Sequence, residues 1–168
     1  MMESKILTLE DLMVALKHLR VSGKRIVFTN GCFDILHVGH VRYLGEARAK
    51  GDVLVLGLNS DASVKSIKSD NRPVVSQDQR AEVLAGLACV DYITIFDEAD
   101  PLSLIQAIKP DILVKGADWE ETNIIGSDVV KAYGGKVVRI KLVPGISTSS
   151  IIQRILKLYG KGTAYERE

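Results

Sequence analysis

Cysteine is scarce. Cys32 and Cys89 are the only two in 168 residues. That is too few for a disulfide framework and fits a reduced compartment better than a secreted one. Charge of one sign is not in excess either. The 22 Lys and Arg face 21 Asp and Glu, a net charge of +1, which argues against a nucleic-acid binder and against a basic membrane-surface helix. No uninterrupted apolar run approaches the ~20 residues of a transmembrane helix. The start, Met1 to Lys5, lacks a basic segment followed by an apolar one, so no signal peptide is expected. The expected compartment is the cytoplasm. Internal repeats, low-complexity segments and linkers are missing too. So are three motifs. Without Gly-x-Gly-x-x-Gly the usual dinucleotide fingerprint is excluded, and without Gly-x-x-x-x-Gly-Lys-Ser/Thr a P-loop is. The lack of Gly-x-Ser-x-Gly weakens a hydrolase.

What is present is an ordinary globular mixture, 46% hydrophobic and 26% charged. The length suits one domain over residues 1–168, able to bury roughly 70% of its extended-chain surface without staples. Leu9, Leu12, Met13, Leu16 and Leu19 recur at helical spacing, which predicts an amphipathic helix over about 8–20. Thr8 and Asp11 resemble a capping box at its start. Short apolar runs predict strands at 25–29, 53–58, 92–96, 112–115 and 136–142. Helices are expected at 39–50, 77–88, 102–108, 127–133 and 148–158. Residues 62–76 are polar and read as a mobile surface loop, and the tail after Gly160 is expected to fray. Strands alternating with helices mean a parallel sheet covered on both faces. The expected fold is therefore α/β: a Rossmann-like, doubly wound, five-stranded sheet, with ligands at the carboxyl ends of the strands.

Residues able to do chemistry follow the strands. The first strand runs into Asn30-Gly31-Cys32-Phe33-Asp34-Ile35-Leu36-His37-Val38-Gly39-His40. Gly31 permits a close backbone approach or a positive φ. If a helix opens near Gly39, His37 and His40 can face one point together with free helix N–H groups. That combination suits a phosphate gaining negative charge. Two satisfied structural histidines are the plainer alternative. Zinc needs more ligands than the chain offers, since His18 is the only other histidine and the two thiols lie apart. The fifth strand ends in Gly145-Ile146-Ser147-Thr148-Ser149-Ser150 before a helix. Ser147 or Thr148 can serve as an N-cap, and the cluster can equally hold phosphate oxygens; the two roles are compatible. The fourth strand ends in Lys115-Gly116-Ala117-Asp118-Trp119. Trp119 is either a stacking platform or lid residue, or a packing anchor. Lys65, Lys68 and Arg72 can reach a polyphosphate from the polar loop, and Arg80 can point back at the same cleft.

These residues carry a resemblance. His37-Val38-Gly39-His40 after Gly-Cys-Phe-Asp is similar to the HxGH signature of the nucleotidyltransferase superfamily. Gly145-Ile146-Ser147-Thr148-Ser149-Ser150 resembles its second signature, which opens the last helix. Residues 28–40, Asn59-Ser60-Asp61-Ala62-Ser63, Arg72-Pro73-Val74, Gln79-Arg80 and Leu113-Val114-Lys115-Gly116 most resemble the adenylyltransferase domains of the ADP-heptose synthase family. The similarity covers about residues 8–158. That family is often fused to a sugar kinase, which is not in this sequence, so the resemblance implies a stand-alone form. Ala117 stands where many relatives have glycine, and Ile146 where many have cysteine. Glycerol phosphate cytidylyltransferases carry Arg-Thr-Glu where this chain has Leu142-Val143-Pro144. The missing arginine argues for adenine over cytosine.

The resemblance implies transfer of AMP from ATP to D-glycero-β-D-manno-heptose 1-phosphate, releasing pyrophosphate and forming ADP-heptose. It implies Mg²⁺ on the polyphosphate, no metal site on the protein, small-molecule substrates only, and a homodimer. His37, His40 and Lys68 (alternatively Lys65) are the expected catalytic groups. Asn30, Gly31, Cys32, Phe33, Gly39, Arg80, Gly116, Asp118, Ser147, Thr148 and Ser149 are expected on the nucleotide. Asp34 and Trp119 are expected near the acceptor, with Asp34 alternatively positioning His37. Two rivals are a CTP-dependent enzyme acting on glycerol 3-phosphate or a similar ester, and a non-catalytic nucleotide sensor.

Overall fold

The structure, a computed structural model, describes residues 5–160. Helix α1 (Leu9–Val21) is capped by Thr8, whose hydroxyl accepts from Asp11 N at 3.1 Å. Strand β1 (Ile26–Gly31) follows, then α2 (Val38–Arg48), β2 (Val53–Asn59), α3 (Asp61–Ile67), α4 (Gln77–Ala85) and β3 (Tyr92–Phe96). The chain continues through α5 (Leu102–Ile108), β4 (Ile112–Gly116), α6 (Ser127–Ala132), β5 (Lys136–Ile140) and α7 (Thr148–Tyr159). The five strands are all parallel, in the order β3-β2-β1-β4-β5.

The pleat explains the two cores. Alternate strand residues point to opposite faces. Ile26, Phe28, Val53, Val55 and Leu113 pack with Leu12, Leu16, Leu104, Ile105 and Val130 on one side. Val27, Leu54, Leu56, Leu58 and Val114 pack with Tyr43, Leu44, Ala47, Ala81 and Leu84 on the other. Both faces are covered, as the continuous apolar strands require. Because β1 leads outward to β2 and β3, and β4 returns to the free side of β1, the winding reverses between β1 and β4. Crevices open at such a switch point.

The polar stretch expected to be loop is partly helical. Ser60 caps α3 by accepting from Ser63 N at 3.1 Å, and Ser63 and Val64 are buried. Seven residues, about two turns, with a narrow buried face leave little hydrophobic periodicity to read. The expected fraying after Gly160 lies outside the described residues. Among the described residues no helix is long and apolar enough to cross a membrane.

Candidate active site

A cleft of about 680 Å³ opens at the carboxyl ends of β1 and β4, within the usual size of small-molecule sites. Its floor is Asn30 and Gly31 from β1 and Lys115 and Gly116 from β4. Phe33 has φ +42°, a left-handed conformation that folds its ring back over Gly31. A Cβ on Gly31 would stand 2.8 Å from that ring, so glycine is required there by close approach.

His37 is the N-cap residue of α2 and His40 lies in its first turn. Their rings stack at 3.7 Å between centroids and 19° between planes. Phe33 lies against His40 at 5.1 Å. In both imidazoles Nδ1 is buried with no hydrogen-bond partner, an unusual condition for a buried polar atom. Burial lowers the pKa of His37. Burial, then the neighbouring His37, pull that of His40 down to about 4, against the opposing pull of Asp34. At neutral pH both rings are therefore uncharged, each able to donate from one ring nitrogen, and they stand beside a helix N-terminus.

Ser147, Thr148 and Ser149 line the same cleft from the start of α7. Ser147 and Ser150 form a reciprocal capping box, with Ser150 N donating to Ser147 Oγ at 3.0 Å and Ser147 N donating to Ser150 Oγ at 2.9 Å. The two ends of the chain meet here. A Cβ on Gly39 would stand 3.0 Å from the His37 ring and 3.4 Å from Ile146 Cγ2. The histidines and the hydroxyl cluster thus open on one space.

Cys32, Asp34, Lys68, Asp118 and Trp119 also line the cleft; Lys65 does not. Burial raises the Cys32 thiol, against Lys68, Arg80 and Arg72, so it is not an activated nucleophile. Trp119 is exposed on the rim. Asp34 is buried and fastens the segment after α3. It accepts from Arg72 Nε at 2.7 Å, from Val74 N at 2.9 Å and from Val75 N at 2.9 Å. Burial raises its pKa, but those hydrogen bonds and the Arg72 charge outweigh it and hold the carboxyl below its ordinary value.

Arg80, expected on the nucleotide, is not brought to the cleft. It is 1% exposed, and its donors go to Val75 O, Cys32 O, Asn59 O and Asp61 Oδ1. A buried guanidinium must satisfy its fork inside the protein, and here it ties together the segments at Cys32, Asn59–Asp61 and Val75 through three backbone carbonyls and one carboxylate. Lys115 is the site residue that motif reading passes over. Its ammonium donates to Asn30 Oδ1 across the β1–β4 switch point, and burial pulls its pKa down to about 8, against the opposing influence of Asp118 and Cys32. Among the described residues no group of three or more His, Cys, Asp or Glu is placed to hold a metal ion.

A family model described as cytidylyltransferase-like matches residues 28–154. The chain belongs to the cytidylyltransferase-like family. The match begins in β1 and ends in α7, so it spans both groups that meet in the cleft. The chain is also 54% identical over 160 residues to the bifunctional protein HldE of Syntrophotalea carbinolica, covering 95% of this chain and 33% of that protein. It is 52% identical to the HldE protein of Geobacter metallireducens, covering 95% and 32%. The chain therefore spans about a third of the length of these curated relatives. Among solved structures, a lipopolysaccharide core biosynthesis protein from Thermoplasma volcanium matches with a TM-score of 0.57 at 26% identity, covering 72% of this chain and 98% of that one. Pantoate-beta-alanine ligase from Francisella tularensis matches with a TM-score of 0.62 at 15% identity, covering 97% and 81%, and shares the fold. These likenesses make the chain a nucleotidyltransferase-type α/β protein.

Proposed function

We propose that this cytidylyltransferase-like protein transfers AMP from ATP to D-glycero-β-D-manno-heptose 1-phosphate, giving ADP-heptose and pyrophosphate. The observation that carries the reading is the convergence of His37, His40 and the 147–149 hydroxyls on one cleft at the β1–β4 switch point. The similarity to HldE proteins along nearly the whole chain supports the heptose acceptor.

A phosphate oxygen of the sugar phosphate attacks the α-phosphorus of ATP in line. The bond from that phosphorus to the bridging oxygen breaks, and pyrophosphate leaves with the electron pair. The protein supplies alignment and charge stabilisation and needs no covalent nucleophile. His37 and His40 donate to the polyphosphate, and the hydroxyls of Ser147, Thr148 and Ser149 hold its outer phosphates. Backbone N–H groups near Cys32 and Phe33 face the α-phosphate, and Lys68 neutralises the leaving pyrophosphate. Mg²⁺ enters with ATP as part of the substrate, carried by phosphate oxygens and water. Asp118 and Trp119 border the base or the sugar. The setting is the cytoplasm, and the working form a homodimer.

Leu142 and Val143 line the cleft and offer no side-chain donor for cytosine, which favours ATP over CTP. The test is pyrophosphate release measured in parallel. ATP with the heptose 1-phosphate should turn over far faster than CTP with glycerol 3-phosphate. The reverse preference would replace the reading with a cytidylyltransferase, and ATP binding with no turnover on any sugar 1-phosphate would replace it with a nucleotide sensor.

A further inference from the structure

The cations of the cleft are not equivalent. Arg72 is committed to Asp34 through a 2.7 Å ion pair with a buried carboxylate. Lys68 ends α3 and stands exposed on the β2 side. Lys115 is different. It rises from the end of β4 into the floor, half-buried, and its hydrogen-bond partner is the neutral amide of Asn30. No carboxylate lies within ion-pair distance of it among the described residues, and Asp118 acts on its charge only from farther off.

A partly buried ammonium held by a neutral acceptor is costly unless an anion completes it. The reaction brings two anions together. The triphosphate already has the imidazoles, the α2 N-terminus, the α7 hydroxyls and Lys68. The attacking phosphate must approach the α-phosphorus from the side opposite the leaving pyrophosphate. It is also a dianion meeting a polyanion, so it needs a cation of its own. The floor between β1 and β4 is where Lys115 offers one.

The geometry points to Lys115, oriented by Asn30, as the group that receives the phosphate of the acceptor substrate. This inference rests on the sugar-phosphate reaction proposed above and assigns one subsite within it. Asn30 then acts as a positioning residue: its carbonyl oxygen fixes the ammonium without neutralising it. An aspartate at that place would pair with Lys115 and take up its charge.

The experiment measures steady-state KM for each substrate separately in the wild type, Lys115→Met, Lys115→Arg and Asn30→Asp, with thermal melts to verify folding. Loss of one charge-assisted contact predicts a ~10- to 100-fold rise in the KM for the sugar 1-phosphate in K115M. The dissociation constant for ATP, read by direct titration, should change less than ~3-fold on the same scale. K115R should recover part of the acceptor affinity, and N30D should lose it although the lysine is still present. If K115M fails to fold, Lys115→Gln decides in its place, because it keeps a polar head able to donate to Asn30 and removes the charge. Two results overturn the assignment when the wild type turns over: an unchanged acceptor KM in K115M, or a weakening confined to ATP. A wild type that releases no pyrophosphate from ATP and any sugar 1-phosphate overturns the parent reaction and this subsite with it.

Discussion

At the β1–α2 junction the site residues are clamped from several directions. Phe33 folds over Gly31 and leans on His40, the two imidazoles stack, and Asp34 pulls in the 72–75 segment. Tyr43 reaches up from α2, pairing with Thr29 Oγ1 at 2.7 Å and donating to Val114 O at 3.2 Å, so β1, α2 and β4 are braced together. Among the described residues the β5–α7 junction has no comparable side-chain bracing. Its fastening is the Ser147–Ser150 capping box, and α7 buries none of its residues. Gly145 at that junction has φ +75°, a turn only glycine adopts without strain. Both junctions face the same cleft, yet one is preorganised and the other is an ordered edge held by its own capping box. Fixed donors are the ones that stabilise a transition state without reorganising. Hydroxyls on a loosely packed helix start add binding energy to ground and transition state alike, which moves KM rather than kcat.

The sharpest way to break that contrast is to remove a fixed donor. His40→Ala should lower kcat by ~10²-fold or more while changing the KM for ATP little. Rapid-quench or coupled pyrophosphate assays on the folded variant read this directly. A near-normal kcat would mean that the rigid side is only scaffold.

A second test separates rigidity from chemistry. Asp34→Asn keeps the shape but removes the charge that Arg72 and two backbone N–H groups address. It should cost about 2 kcal/mol of stability in urea unfolding. The pH dependence follows from the depressed Asp34 pKa. The unfolded chain binds the proton more readily, so the carboxylate's contribution is full above the ordinary value of 3.8 and falls away as pH drops through the lower folded value. The difference between wild type and D34N should therefore be widest near neutrality and shrink in acid. A gap that does not vary with pH would remove Asp34 as the clamp.

Much of this was legible before any coordinates, for physical reasons. Buried parallel strands are largely apolar, so the inner strands stand out, and edge strand β5 still shows through Val137, Val138 and Ile140; all five appear in the sequence within a residue or two of their observed ends, and their alternation with helices leaves few topologies. His37, His40 and Ser147 to Ser149 stand out because polar residues flanked by glycine at strand ends are not explained by core packing. Other features depend on pairings that local sequence does not encode. Arg80 looks like any helix-start arginine, and only the fold turns it inward. Lys115 reads as a strand-end lysine until β4 is set beside β1, which joins it to Asn30 across 85 positions. Helix α3 escapes notice because a seven-residue helix with two buried residues shows too short a period to detect.

The smallest effect is expected on the loosely held side. Ser147→Ala removes the oxygen that accepts from Ser150 N and leaves the box half-made. Losing an N-cap of this type costs about 1 kcal/mol. Because α7 has no fully buried residue, that cost should stay local and not reach the whole domain. Amide exchange in the first turn of α7 should speed up roughly 5-fold, the factor that matches such a loss, while exchange in β1 and α2 stays as in the wild type. The KM for ATP should rise a few-fold with kcat nearly unchanged, since the variant loses both a hydroxyl and the order of its neighbours Thr148 and Ser149. If S147A instead lowered kcat as far as H40A does, the hydroxyl edge would have to count as preorganised too, and the division of labour between the two junctions would collapse.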